Sequence, residues 1–258
     1  MAEQLAAWPR MSYQGPGGKP FLFYIIFGAF SQSPALSGQE YRSNGIFPGL
    51  QLWHYDRGEH PDVLEGFRQG YLWDELERHQ PDFAQAILAA DECLILRGEL
   101  EDQADLNYLR DTVGLLTFLL DHGGVTVYDP QMFHWWEPGQ WKDRIFRPGG
   151  AVPRHHVVIL TSEEPEDASL TWFHTRGLRK FGRPDLSGHR VPPHDREAVI
   201  DLFERFIEFQ AFGGIIAEGQ EVRMKTLPSG MTCHHAGDLD DPNFNNVHVE
   251  ITAPAWDG

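Results

Sequence analysis

The period of the apolar positions changes along the chain, and each period predicts an element. Residues 21–27 are almost all apolar and read as a buried strand, entered from the flexible Gly-Pro-Gly-Gly-Lys-Pro of residues 15–20. Residues 31–49, rich in Ser, Gly and Pro, read as loop. Within residues 62–78, Leu64, Phe67, Tyr71, Leu72 and Leu76 recur at helical spacing, although Gly66 and Gly70 interrupt good helix-forming sequence. Pro81 opens a second short helix over 82–90. A strand is expected at 93–96. Asp105 then reads as the N-cap of a helix carrying Leu106, Leu109, Val113, Leu116 and Leu120, and Gly123-Gly124 stops it. With the strand expected at 125–128, this forms the chain's best strand–helix–strand unit.

Beyond it, residues 156–160 and 170–174 read as strands joined by the acidic turn 163–167. Asp195 is placed to cap a helix with Val199, Leu202, Phe203, Phe206 and Phe209 on one face, ending at Gly213-Gly214. Short strands at 221–226, 231–235 and 247–252 close the chain. There is no internal repeat, low-complexity tract or clear linker. The expected fold is α+β: a mixed, mainly antiparallel sheet packed by three to four helices. It forms one domain over 1–258, or two lobes meeting near 145–155.

Composition narrows the class. A chain of 258 residues allows one large domain or two small ones, and 41% hydrophobic with 12% aromatic residues excludes a disordered chain. The longest mostly apolar run, residues 21–30, is about half of the ~20 residues that span a bilayer, so no membrane is expected. The start of the chain lacks a basic region followed by an apolar one, so no signal peptide is expected. Cys93 and Cys233 cannot build a disulfide framework, and a reducing cytoplasm is the expected location.

The charge is unevenly placed. Residues 61–105 hold twelve acids against three bases, more than half of the net −17. Between positions 174 and 190 stand Arg176, Arg179, Lys180, Arg183 and Arg190, opposed only by Asp185. Nucleic acid is not an expected partner, because most of the surface repels phosphate. A basic protein partner suits the acidic region, and solubilising helix faces explain the same acids equally well.

Several chemical signatures fail. No Gly-x-Ser-x-Gly elbow and no His-Glu-x-x-His occurs, and the glycines at 15–18 lack the spacing of a phosphate loop. Residues 238–243 begin like a calcium loop, but Pro242 occupies a ligand position. Cys233 and His234 are neighbours on an expected strand and so point to opposite faces, and Cys93 lies in an apolar run as a core residue. The best metal candidate is His248 and Glu250, two apart on one strand face, with His235 on a strand able to pair with it. Two imidazoles and a carboxylate would make an open zinc or iron site, while a solvated strand face explains the same residues. Residues 131–141 gather Phe133, His134, Trp135, Trp136 and Trp141, suited to a pocket, an interface or core packing.

The segment His174-Thr-Arg-Gly-Leu-Arg-Lys-Phe-Gly-Arg-Pro-Asp-Leu186 follows an expected strand, and Gly177, Gly182 and Pro184 mark a fixed loop. It resembles a signature of uncharacterised bacterial α+β domains, roughly Thr-His-Gly followed by Gly-x-Pro-Glu/Asp-Leu, here in the order His-Thr-Arg-Gly. Residues 241–251 resemble the closing motif of such domains. The resemblance spans about residues 155–252 and brings no catalytic residue with it. Some proteins of this kind look like immunity proteins, which neutralise a toxin made by the same bacterium. Independently of that resemblance, Arg176, Arg179 and Arg183 suit either an anion or internal ion pairs.

The resulting expectation is a non-enzymatic immunity or inhibitor protein, without cofactor, that binds a basic partner such as a nuclease toxin. Asp74, Glu75, Glu77, Glu101 and Asp102 are expected to steer it, and Trp73, Trp135 and Trp136 to anchor it. The alternative is a metal-dependent hydrolase using His235, His248 and Glu250.

Overall fold

A computed structural model describes residues 5–30 and 35–256; the first four residues of the chain and the first four of the expected loop at 31–49 lie outside it. The fold is α+β, with six α-helices and two mainly antiparallel sheets among the described residues. The chain falls into two units. One comprises residues 1–8, 22–100 and 105–152; the other comprises residues 9–21, 101–104 and 153–258.

In the first unit, β1 (Phe21–Gly28), β2 (Gln51–Asp56), α1 (Pro61–Phe67), α2 (Tyr71–His79), α3 (Pro81–Leu88) and β3 (Glu92–Glu99) come first. They are followed by α4 (Asn107–Asp121), β4 (Gly124–Asp129), β5 (His134–Trp136) and the single turn α5 (Pro138–Trp141). The sheet order is β2-β3-β1-β4-β5. The central strand β1 is covered on both faces, which is why its sequence is an unbroken apolar run rather than an alternating one. Ile25 and Phe27 face a core with Leu64, Trp73, Leu76 and Ile87 from the three short helices, while Tyr24 meets Trp141 edge-on at 6.1 Å. The expected strand–helix–strand unit exists, but β3 and β4 are not neighbours: β1 lies between them.

Two expected boundaries moved for local reasons. The single helix expected over 62–78 is two helices, broken where Gly70 takes φ +83°, a conformation open to glycine. The helix expected to be capped by Asp105 begins two residues later, and Asp105 instead accepts the Asn107 N–H at 3.0 Å. Every residue from Tyr108 to Leu120 on α4 is buried, including Arg110 and Asp111. Those two pair at 2.8 Å, and Arg110 also donates to the Ala6 carbonyl, so the buried charges are satisfied.

The second unit contains β6 (Val158–Glu163), β7 (Thr171–Arg176), β8 (Asp185–Val191), α6 (Arg196–Ala211), β9 (Glu221–Val222), β10 (Met231–Ala236) and β11 (His248–Thr252). Its sheet order is β6-β7-β8-β11-β10-β9, and only the β8–β11 pair is parallel. The strand expected at 221–226 is thus just two residues long. Helix α6 buries Val199, Leu202, Phe203 and Ile207, with Phe203 edge-on to Phe173 of β7 at 6.4 Å. Asp195 stands at its N-cap, yet its carboxylate accepts Trp256 Nε1 at 2.9 Å instead of capping the helix. Trp172, His174, His189, His248 and Glu250 form a ring- and acid-bearing cluster on this sheet.

No helix among the described residues is long and apolar enough to cross a membrane.

Candidate functional site

In the first unit, the spacing of α2 sends Trp73 and Leu76 into the core and leaves Asp74 and Glu77 exposed. Tyr71 at the start of the helix is 74% exposed. Asp74 and Glu75 lie three and four residues further on, and so share its side of the helix. Glu75 is half-buried and holds Arg78 and, at 3.2 Å, His79.

At the start of α2 lies a pocket of about 200 Å³, lined by Phe67, Tyr71, Leu72, Trp73, Tyr128 and Trp135 together with Gly66 and Gln69. Trp135 is 8% exposed, stacked on Tyr128 at 4.1 Å and edge-on to Trp73 at 5.5 Å. Its indole N–H is buried without a hydrogen-bond acceptor, a state that costs about 1–3 kcal/mol. The tryptophans therefore do not project as anchors. Trp73 and Trp135 line a socket, while Trp136, next along β5, points to the opposite side and packs edge-on to Trp141 at 6.1 Å.

The other two acids expected in the steering surface belong to the second unit and differ from each other. The Glu101 side chain is 84% exposed, 3.4 Å from Lys19. The Asp102 side chain is only 2% exposed: it is clamped between Arg10 and Arg183, the latter at 2.8 Å, and accepts the Gly17 N–H at 2.7 Å. Asp102 is an internal ion-pair partner, which removes it from any steering surface.

The basic loop is equally inward. Arg183 donates to the carbonyls of Gly213 and Gly214, each at 3.1 Å, as well as to Asp102. Arg176 is buried and donates to the Asn243 carbonyl; Arg179 donates to the Asn245 carbonyl at 2.9 Å and lies over the Phe21 ring. Lys180 is fully buried against the His156 carbonyl at 2.8 Å. These cations close the loop around carbonyls that would otherwise be stranded, so the expected anion site of Arg176, Arg179 and Arg183 is not assembled. Asp185 sits under the same loop, its carboxyl pushed up to about 6 by burial although Asn246, Thr175 and the Leu178 N–H donate to it.

The expected metal set does not converge either. On the β10–β11 pair His235 lies opposite Val249, whereas His234 lies opposite Glu250 and Ala236 opposite His248. His235 therefore points to the face away from His248 and Glu250, and its Nε2 donates to the Ile216 carbonyl at 2.8 Å. His248 Nε2 is 4.0 Å from the Glu250 carboxylate. Among the described residues, one group of three brings metal-binding atoms together: half-buried Asp56 at the end of β2, and Glu59 and His60 on the exposed turn that follows. There Asp56 already accepts the Glu59 N–H at 3.0 Å, and nothing further points to an ion.

A feature that sequence reading missed is a depression of about 460 Å³ against the ring-bearing strands, with Glu164, Trp172, His189, Asp241, Phe244 and His248 in its wall. The indole of Trp172 stacks on His174 at 4.1 Å and on His189 at 4.9 Å, and His189 Nδ1 meets the Glu164 carboxylate at 3.0 Å. Burial, with Arg176 nearby, pushes the His174 imidazole down to about 4. The alternation Trp172, His174 on one strand and Ser187, His189 on the next was the available signal.

Neither thiol offers a nucleophile: Cys93 and Cys233 are both buried, and burial pushes each up to about 11. Compared with known protein families, with curated proteins and with solved structures, the chain matches none.

Proposed function

We propose that the chain is a non-enzymatic binding protein of the immunity or inhibitor type, which engages a basic partner through the acidic helices of its first unit. The observation that carries this reading is the aromatic socket lined by Tyr71 and Trp73 of α2, the helix whose Asp74 and Glu77 are exposed, with the Trp135 N–H lacking an acceptor. A cationic side chain entering the socket meets aromatic faces, and a carbonyl of the partner satisfies the indole. The acids accelerate encounter by roughly 10–10³-fold at low salt. Resemblance of residues 155–252 to uncharacterised bacterial domains, some of whose kind look like immunity proteins, supports a toxin as the partner, a nuclease rich in phosphate-binding Lys and Arg, and a cytoplasmic location. The metal-dependent hydrolase reading has lost its ligand set, because His235 faces away from His248 and Glu250.

The test is capture from native bacterial lysate by tagged wild type and by the Asp74→Lys, Glu77→Lys double variant, with low-salt and high-salt washes. The expected result is one basic protein held by wild type at low salt, partly released at high salt and absent from the variant. Equal capture by both proteins would overturn the proposal.

A further inference from the structure

The second unit contains a cleft of about 370 Å³ that the basic-partner reading does not use. That size suits a small molecule, since ligand pockets run to roughly 300–1,000 Å³. Its apolar walls come from Pro16, Pro184, Ile215, Ile216 and Val247, and glycines at 17, 18, 182 and 237 let backbone form much of the rest. Glycine is required at position 182: it holds φ +63°, and a Cβ there would strike the Gly18 carbonyl.

Two polar atoms in this wall lack partners. Gln210, in the last turn of α6, is fully buried, and its amide NH₂ donates to the Pro184 carbonyl at 3.2 Å. That bond fixes the orientation of the amide, because the flipped form would set two oxygens against each other. Oε1 is thus the unpartnered atom, and it only accepts. The second is His248 Nδ1, lying against Gly237. The Glu250 carboxylate lies 4.0 Å from Nε2 and the Asp241 carboxylate lies by Gly237 on the Nδ1 side, so Nδ1 is able to donate or to accept.

The wall contains no carboxylate that would attract a cation. Its one cation, Arg183, is already committed to Asp102 and to backbone carbonyls, and so is not available to an anion. An occupant must therefore be uncharged, largely apolar on its faces and supplied with N–H or O–H donors. We propose that this cleft binds an uncharged N–H-bearing heterocycle of nucleoside size, with Gln210 Oε1 as the acceptor and His248 Nδ1 as a second polar partner. The flat ring lies among the proline and isoleucine side chains. A ring N–H or exocyclic amine then meets the Gln210 acceptor that otherwise remains buried and unsatisfied, which is the source of specificity.

The experiment uses the full chain with adenosine, guanosine, cytidine and uridine at millimolar concentration, and glucose as a donor-rich control without a flat ring. Thermal midpoint and saturation-transfer NMR are read for each. Two variants accompany the wild type. Val247→Trp fills the mouth from a position that is 39% exposed, so the core is undisturbed. Gln210→Met keeps the length of the side chain and removes the acceptor. The expected result is that at least one nucleoside raises the wild-type midpoint and gives a transfer signal. That binding should be abolished in Val247→Trp and weakened roughly tenfold in Gln210→Met. Binding of no nucleoside to wild type, binding of glucose alone, or nucleoside binding unchanged in Val247→Trp would each overturn the proposal. None of these outcomes depends on Asp74 or Glu77, so failure here and failure of the basic-partner reading are separable.

Discussion

The acidic stretch at 61–105 and the basic stretch at 174–190 are the two strongest charge features of the chain, and they are put to opposite uses. Asp74 and Glu77 stand in solvent on α2, whereas Arg176, Lys180 and Arg183 are buried and bonded to backbone carbonyls. The contrast recurs between adjacent residues, with Glu101 exposed and Asp102 enclosed by two arginines. Charge counted along a sequence therefore does not distinguish a surface that can attract a partner from an internal scaffold; desolvation does. An exposed ion pair is worth ~0–1 kcal/mol, whereas removing one member of a buried set strands the others at a cost of about 3–5 kcal/mol.

The largest expected effect tests that distinction directly. Asp102→Asn should destabilise the protein by about 3–5 kcal/mol, because two buried guanidinium groups lose the carboxylate they share. Glu101→Gln should change stability by less than about 0.5 kcal/mol. Urea unfolding of both variants checks the pair, and comparable losses would break the comparison.

Acid should also act on the buried side. Burial, helped by Lys180, pushes His156 down to about 3, and His174 is pushed down to about 4. Each binds its proton in the unfolded chain near the ordinary 6.5 but not in the folded one, so their contribution is complete above that value and declines as pH falls below it. Asp185, pushed up to about 6, works the other way, since the folded chain takes up its proton first. Two imidazoles against one carboxyl leave the unfolded state with about one more proton near pH 5. Stability should then fall by about 1.4 kcal/mol per pH unit there. Urea midpoints measured between pH 7 and pH 5 check this, and a midpoint that rises on acidification contradicts it.

A smaller effect separates two glycines that look alike in sequence. Gly70→Ala should cost about 1–2 kcal/mol, because φ +83° with ψ 177° is a backbone conformation open essentially to glycine alone. Gly66→Ala lies within α1, where a Cβ meets nothing within 4 Å, and should stabilise by about 0.5–1 kcal/mol. Thermal unfolding distinguishes the signs.

What sequence could convey follows the same division between local and distant causes. The strand β1 and helix α6 were legible because period and breakers lie within the element, and the opposite facing of Cys233 and His234 follows from strand alternation alone. His235 was misplaced because its face depends on a register set across the loop from Gly237 to Val247. Asp102 was misread because the arginines that enclose it stand 92 and 81 residues away. The tryptophans were half legible: adjacency at 135 and 136 sends them to opposite faces, but only the packing of α1 and α2 makes one of them a socket wall. Gln210 carried a signal that went unused, a polar residue at the period of Phe203 and Ile207 on the apolar side of α6.

The most direct test of the acidic face uses the basic protein retained in the capture experiment. Its association rate with wild type and with Asp74→Lys, Glu77→Lys is measured by stopped flow from low to high salt. The rate for wild type should fall steeply as salt rises, while that of the variant starts roughly tenfold or more lower and changes little. Equal rates at low salt, with the same salt dependence in both proteins, would contradict the account.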